Sequence, residues 1–132
     1  MTSIGLLDTS VFIAQESGRR LDAAGVPDEV ATTVITMAEL NLGVLAAASA
    51  DVRAQRLATL DAIADIFVFS VDEDAARMWA RLRMHLVETG QRVRLNDLWI
   101  AAIAASRDLP VVTQDEGFHP LDGVAGLTVL RV

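Results

Sequence analysis

An α/β fold built on a parallel sheet is what this sequence predicts, and three observations carry the prediction. Short runs rich in apolar and β-branched residues, Ile4–Leu7, Thr33–Thr36 and Val111–Thr113, alternate with stretches of helical periodicity. That alternation is the pattern of parallel strands covered by crossover helices. Acidic residues recur where a strand should hand over to a helix: Asp8, Glu39, Asp97 and Asp115. The length of 132 residues suits one domain, 1–132, with a core of its own.

Taken in order, the first strand, Ile4–Leu7, ends in Asp8-Thr9-Ser10, and a short helix through Gln15 follows. Gly18 to Pro27 is polar and turn-rich, with one helical turn near Leu21. A strand at Thr33–Thr36 leads into a helix from Met37 to Ala48, whose Met37, Leu40, Val44 and Leu45 share an apolar face. After Ser49, Asp51–Ala64 forms another helix with Leu57, Leu60 and Ile63 inward, and Ile66–Ser70 is a third strand. Asp72–Thr89 is the longest helix, with Ala75, Trp79, Leu82 and Leu86 on its buried stripe, Arg77 and Arg81 opposite, and Gly90 as its stop. The Arg92–Arg94 connector precedes Asp97–Arg107, a helix so rich in alanine that its neighbours can approach closely. Pro110–Thr113 and Leu127–Arg131 complete the strands.

Composition removes several classes of function. Apolar residues make up 52%, yet no run approaches the roughly 20 residues that span a bilayer. The N-terminus lacks a basic stretch followed by an apolar one, so no signal peptide is expected and the chain reads as cytoplasmic. Without cysteine there are no disulfides, thiol nucleophiles or Cys-based zinc sites. All eleven basic residues are arginine, which excludes a Walker A lysine and Schiff-base chemistry. A net charge of −7 argues against a general nucleic-acid binder and makes a basic partner plausible.

A helix that feeds a parallel strand starts at the edge where the other strands end. Asp8, Glu39, Asp97 and Asp115 are therefore placed on one edge, where open α/β sheets bind ligands. Each also has a structural alternative. Asp8 is a plausible N-cap, Thr36-Met37-Ala38-Glu39 fits a capping box, Asp97 suits a helix dipole and Asp115 an Asx-turn. Together those alternatives leave four negative charges facing one another without a lysine to relieve them. An oxygen-rich pocket for a hard divalent cation, Mg²⁺ or Mn²⁺, resolves the conflict.

Ser10 and Thr113 flank the carboxylates as supporting hydroxyls for a carboxylate, a metal-bound water or a phosphate, with backbone capping as the alternative. Arg92 and Arg94 run into Asp97 and are candidate RNA contacts, while Arg77 and Arg81 fit either a phosphate backbone or a solvated helix face. His85 and His119 have no metal-ligand spacing, and the chain lacks an acid–base histidine pair for metal-free RNA cleavage.

The segments Leu7-Asp8-Thr9-Ser10, Ala38-Glu39-Leu40, Asp97-Leu98-Trp99-Ile100-Ala101-Ala102 and Leu109-Pro110-Val111-Val112-Thr113-Gln114-Asp115 with Phe118 resemble the PIN-domain family, and within it the VapC-type toxins of bacterial toxin–antitoxin pairs. The resemblance covers essentially the whole chain. It implies a three-layer α/β/α sandwich around a central parallel sheet and an endoribonuclease dependent on magnesium or manganese. It assigns the catalytic acids to Asp8, Glu39, Asp97 and Asp115, with Asp8 and Asp97 as direct metal ligands and Glu39 and Asp115 acting directly or through water. Glu116 offers a second acid beside the fourth position. A metal-activated water would attack phosphorus in line, without a protein nucleophile. The implied partners are a cognate VapB-type antitoxin that blocks the site, the RNA substrate, and a second copy in a homodimer. Alternatives are a non-catalytic interaction module on the same fold, and a metal-dependent phosphatase or DNA nuclease. The phosphatase reading is weakened by serine at position 10, where a DxD motif would need aspartate.

Overall fold

Successive residues of a strand face opposite sides of a sheet, and in this chain both sides are apolar. Leu6 and Val111 point to one face and Leu7 and Val112 to the other, and all four are buried. Helices must therefore cover both. The computed structural model describes residues 3–132, so the first two residues of the expected 1–132 unit lie outside the described residues. The described elements are β1 (Ile4–Leu7), α1 (Thr9–Ser17), β2 (Glu29–Thr33), α2 (Val34–Leu45), α3 (Ala50–Ala62), β3 (Phe67–Phe69), α4 (Glu73–Thr89), α5 (Leu95–Ser106), β4 (Val111–Thr113) and β5 (Val129–Arg131).

The sheet runs β3-β2-β1-β4-β5, and every strand pairs in parallel with its neighbours. On one face α4 and α5 pack their Ala75, Leu82, Leu86, Ile100 and Ile103 against Leu6, Ala31 and Val111. On the other, Val11, Phe12, Leu40 and Ile63 from α1, α2 and the end of α3 cover Leu7 and Val112. The result is the expected three-layer sandwich. Alanines 101, 102 and 104 of α5 are fully buried, and their small side chains let this helix lie close on the sheet. Among the described residues no helix is long and apolar enough to cross a membrane.

Gly5 has a packing reason to be glycine. A Cβ there would fall 2.7 Å from Pro27 Cγ and 2.7 Å from Val112 Cγ2. Neither neighbour is the free end of a flexible chain. Gly5→Ala is expected to destabilise the protein by about 1–3 kcal/mol, the usual range for overpacking. Urea unfolding measures it, and an unchanged midpoint would show that Pro27 and Val112 give way easily.

Several boundaries differ from the sequence reading. The second strand is Glu29–Thr33 rather than Thr33–Thr36, and α2 starts at Val34 instead of Met37 and ends at Leu45 instead of Ala48. Thr33, with extended φ −127° and ψ 161°, is the N-cap, and its Oγ1 accepts the Thr36 N–H at 3.2 Å. The capping box proposed for Thr36 and Glu39 is thereby overturned. The helix expected to open at Asp97 starts two residues earlier, at Leu95, and puts Asp97 in its first turn. Leu45 and Leu57, expected to face inward, are 79% and 42% exposed. Trp79 is half-buried and stacks on Trp99 with ring centroids 5.3 Å apart. Arg77 is exposed and paired with Asp74 at 2.6 Å, which is the solvated-face alternative. Gly90 ends α4 as expected, with φ 66° and its N–H capping Leu86 and Val87 carbonyls.

Candidate metal centre

The strand order places a topological switch between β1 and β4, because the chain builds outward from β1 in one direction and then crosses to the other side. Crevices at such points, beyond the C-terminal ends of the strands, are where open α/β sheets take ligands. Asp8 follows β1 and Thr113 ends β4, so the two meet at that crevice.

Asp8 is 2% exposed, and its carboxylate is gripped from both sides. Ser10 Oγ donates to Oδ1 at 2.6 Å and Thr113 Oγ1 donates to Oδ2 at 2.8 Å. Both hydroxyls are themselves held, since Ser10 Oγ accepts the Gln114 N–H at 2.9 Å and Thr113 Oγ1 accepts the Asp115 N–H at 3.0 Å. Asp8 stands at the N-cap position of α1, yet its side chain makes no capping hydrogen bond. Those carboxylate oxygens face the crevice network instead.

Glu39 and Asp115 likewise depart from their structural alternatives, while Asp97 sits in the first turn of α5, where a carboxylate also suits the helix dipole. Glu39 reaches across to α1, where Thr9 Oγ1 donates to its Oε1 at 2.8 Å. Asp97 is 8% exposed, and its side chain has no hydrogen-bond partner among the described residues. Asp115 is exposed and forms no Asx-turn; the turn is made by Thr113 accepting the Asp115 N–H. Glu116, the second acid considered for this position, pairs with Arg131 at 3.0 Å.

The electrostatics show that the acids share one field. Burial pushes the Asp8 pKa from 3.8 up to about 6; the Ser10 and Thr113 hydrogen bonds pull against this, and the charges of Asp115 and Asp97 add to the rise. Asp97 is likewise pushed from 3.8 up to about 6, first by burial, with Arg94 opposing and Glu39 and Asp115 reinforcing. Arg94 Nη2 lies 4.0 Å from Glu39 Oε2, but its side chain is 75% exposed and cannot neutralise the buried pair. Arg92 is exposed.

The donor set suits a hard divalent cation: carboxylate and hydroxyl oxygens, with no nitrogen or sulfur ligand among them. Gly117 keeps the approach to Asp97 open, since a Cβ there would lie 3.3 Å from Asp97 Oδ2. Among the described residues, however, no three acids already stand at coordinating spacing around one point. Asp8 and Asp97 are buried, Glu39 is tied to Thr9 and Asp115 is exposed, and the charges of Glu39 and Asp115 add to the cost of ionising Asp97. A cation would offset that cost.

Sequence reasoning overlooked Thr9, although it lies between Asp8 and Ser10, and it overlooked Gly117 and Arg131. Thr9 had a signal, a hydroxyl within a strand-end acid motif. Arg131 had none, because its link to Glu116 spans the final loop.

A carboxylate whose pKa is higher folded than unfolded binds its proton more tightly in the native state. Stability contributed by Asp8 and Asp97 therefore falls as pH rises from about 4 through about 6. For Asp8 the loss at pH 7 is on the order of 3 kcal/mol. Asp72, held low by the Ala75 N–H and also by Arg107, titrates below this window. The metal-free protein is expected to melt higher at pH 5 than at pH 7, with added Mn²⁺ closing the gap. A melting temperature that drops on going from pH 7 to pH 5 would contradict the sign.

The PIN domain family model matches residues 5–124. The chain is 68% identical to Ribonuclease VapC5 of Mycobacterium tuberculosis over 97% of this chain and 95% of that protein. It is 35% identical to Ribonuclease VapC4 of the same organism over 94% of this chain and 95% of that one. Among solved structures it is similar to a member of the VapBC family of toxin-antitoxin systems, VapBC-5, from Mycobacterium tuberculosis. That match has a TM-score of 0.93 and 65% identity, and covers 98% of this chain and 99% of the other.

Proposed function

Because the chain belongs to the PIN-domain family, we propose that it is a VapC-type ribonuclease, the toxin of a toxin–antitoxin pair, hydrolysing RNA with Mg²⁺ or Mn²⁺. The observation that carries the reading is the buried pair Asp8 and Asp97 at the sheet's switch point, in a chain 68% identical to Ribonuclease VapC5.

Asp8 and Asp97 would hold the cation directly, and Glu39 and Asp115 directly or through water. When bound, a divalent ion lowers the pKa of a coordinated water and neutralises charge on the scissile phosphate. The remaining work falls to the chain's own groups. Ser10 and Thr113 fix both oxygens of Asp8 and favour its ionised form. Ser10 Oγ is committed as donor to Asp8 and acceptor from Gln114, so it does not serve as a nucleophile. Glu39, oriented by Thr9, or Asp115 would align the attacking water. Arg94 and Arg92, exposed at the rim, would meet the RNA backbone.

The proposed partner is a VapB-type antitoxin, supported by the likeness to a VapBC-5 structure. An arginine or lysine from its C-terminal segment would enter among the four acids and compete with the cation. We further propose that the protein acts in the cytoplasm as a homodimer.

A metal-activated water needs no 2′-hydroxyl. Cleavage is therefore expected to require Mg²⁺ or Mn²⁺ and to leave 5′-phosphate and 3′-hydroxyl ends. Sequencing libraries selective for each end type test this, and 2′,3′-cyclic phosphates would overturn it.

A further inference from the structure

Beyond the acids, a cavity of about 640 Å³ opens between the loop that follows β4 and the edge strand β5, lined in part by Asp115, His119, Pro120, Asp122, Val129 and Arg131. Small-molecule sites run from about 300 to 1,000 Å³, so one nucleotide fits. Asp115 belongs to both places: its charge acts on Asp8 and Asp97, and its side chain forms part of this cavity's wall. A group seated in the cavity therefore adjoins whatever is held at the acids.

Its polar groups are preset. Arg131 Nη1 donates to Glu116 Oε1 at 3.0 Å and Nη2 to the Gln114 carbonyl at 3.2 Å. A guanidinium has five N–H groups, so donors remain for a ligand. Asp122 Oδ1 accepts the Val129 N–H at 3.0 Å, which leaves Oδ2 as an acceptor. Pro120 and Val129 supply apolar surface. Asp115, Glu116 and Asp122 outnumber Arg131 in charge, which disfavours a phosphate here and favours a neutral base.

Resting on the ribonuclease reading above, we propose that this cavity receives the unpaired base of the nucleotide next to the cleaved bond and selects guanine. Single-stranded RNA is read on the edges of splayed bases. Guanine presents the acceptor pair O6 and N7, which suits a guanidinium, and the adjacent donors N1–H and N2–H, which suit a carboxylate. Adenine and cytosine place an acceptor beside their amino group, and uracil flanks its single N–H with two carbonyls. None of these three satisfies both walls.

Two variants test this. Asp122→Asn keeps the size and the acceptor for Val129 N–H but turns the free oxygen into a donor. Arg131→Gln removes the guanidinium from an exposed end of the edge strand. A randomised single-stranded RNA pool is cut by the purified protein with Mn²⁺ and the ends are sequenced. In parallel, binding of each of the four nucleosides to the metal-free protein is followed by NMR. The wild type is expected to enrich guanine at one position beside the cut, and each variant to reduce that enrichment about tenfold. Unchanged enrichment in both variants would overturn the proposal. So would unchanged enrichment accompanied by loss of antitoxin inhibition, which would assign the cavity to the protein partner. If the wild type cuts no RNA, the ribonuclease reading fails, and the NMR arm still decides. Preference for guanosine that the variants lose supports the subsite, and equal binding or no binding of all four overturns it.

Discussion

Asp97→Asn should lower RNA cleavage by about a hundredfold or more while leaving the metal-free protein as stable as the wild type, or more stable. Loss of a partner that only orients a metal ligand already costs roughly 10–100-fold, so removal of a direct ligand should cost at least the upper end. The stability expectation has a separate cause. Burial and the charges of Glu39 and Asp115 all disfavour ionised Asp97, and its side chain has no hydrogen bond among the described residues to lose. Asparagine removes the charge and keeps the shape. Cleavage of a labelled RNA and a thermal melt without metal measure the two effects. A marked drop in melting temperature would instead mean that Asp97 serves the first turn of α5.

Phe118→Ala should destabilise the protein by about 3–5 kcal/mol, as deletion of a buried aromatic ring usually does. Phe118 is 0% exposed and packs in the core beneath α4 and α5, three residues after Asp115. Its backbone belongs to the turn that follows Asp115. The His119 N–H bonds the Glu116 carbonyl at 3.0 Å, and the Leu121 N–H bonds the Phe118 carbonyl at 2.9 Å. Domains of this size are stable by only about 5–15 kcal/mol, so the loss is a large fraction of the whole. Urea unfolding reads the stability, and cleavage under conditions where the variant stays folded should also fall. A change below about 1 kcal/mol would show that the loop closes over the void.

Elements with sharp local signals were legible in the sequence. Ile4–Leu7 is the first strand as read, and Gly90 stops α4 because a left-handed φ suits glycine. The second strand was misplaced because Val34 and Ile35 are β-branched and resemble a strand when read locally. What decides their state is distant. Glu29, Val30 and Ala31 pair with Ile4, Gly5 and Leu6, and Ala31, Thr32 and Thr33 pair with Phe67, Val68 and Phe69. Once Thr33 completes those ladders and caps the next turn, Val34 can only begin a helix. Leu45 and Leu57 share the helical period of buried residues but lie outside the two packed faces, which periodicity alone does not reveal.

For the site, the positions of Asp8 after β1, Asp97 in the first turn of α5 and Asp115 past β4 were legible, since topology follows from alternation, whereas Glu39, expected at a strand-to-helix handover, lies five residues inside α2. The network around Asp8 was partly so: Ser10 and Thr113 stood out as hydroxyls beside carboxylates. The bond from Thr9 to Glu39 depends on how α1 and α2 approach each other and had no local signature. The division of labour between neighbours Asp115 and Glu116 needed the structure too, because it rests on Arg131 drawing Glu116 away.

The central claim is that Asp8 and Asp97 hold a divalent cation, and anomalous diffraction from crystals of the protein grown with Mn²⁺ tests it most directly. The predicted result is a manganese peak coordinated by Asp8 and Asp97, with Glu39 and Asp115 drawn toward it, and its loss in Asp97→Asn crystals. No peak at that position, at a Mn²⁺ concentration that supports RNA cleavage, would contradict the claim.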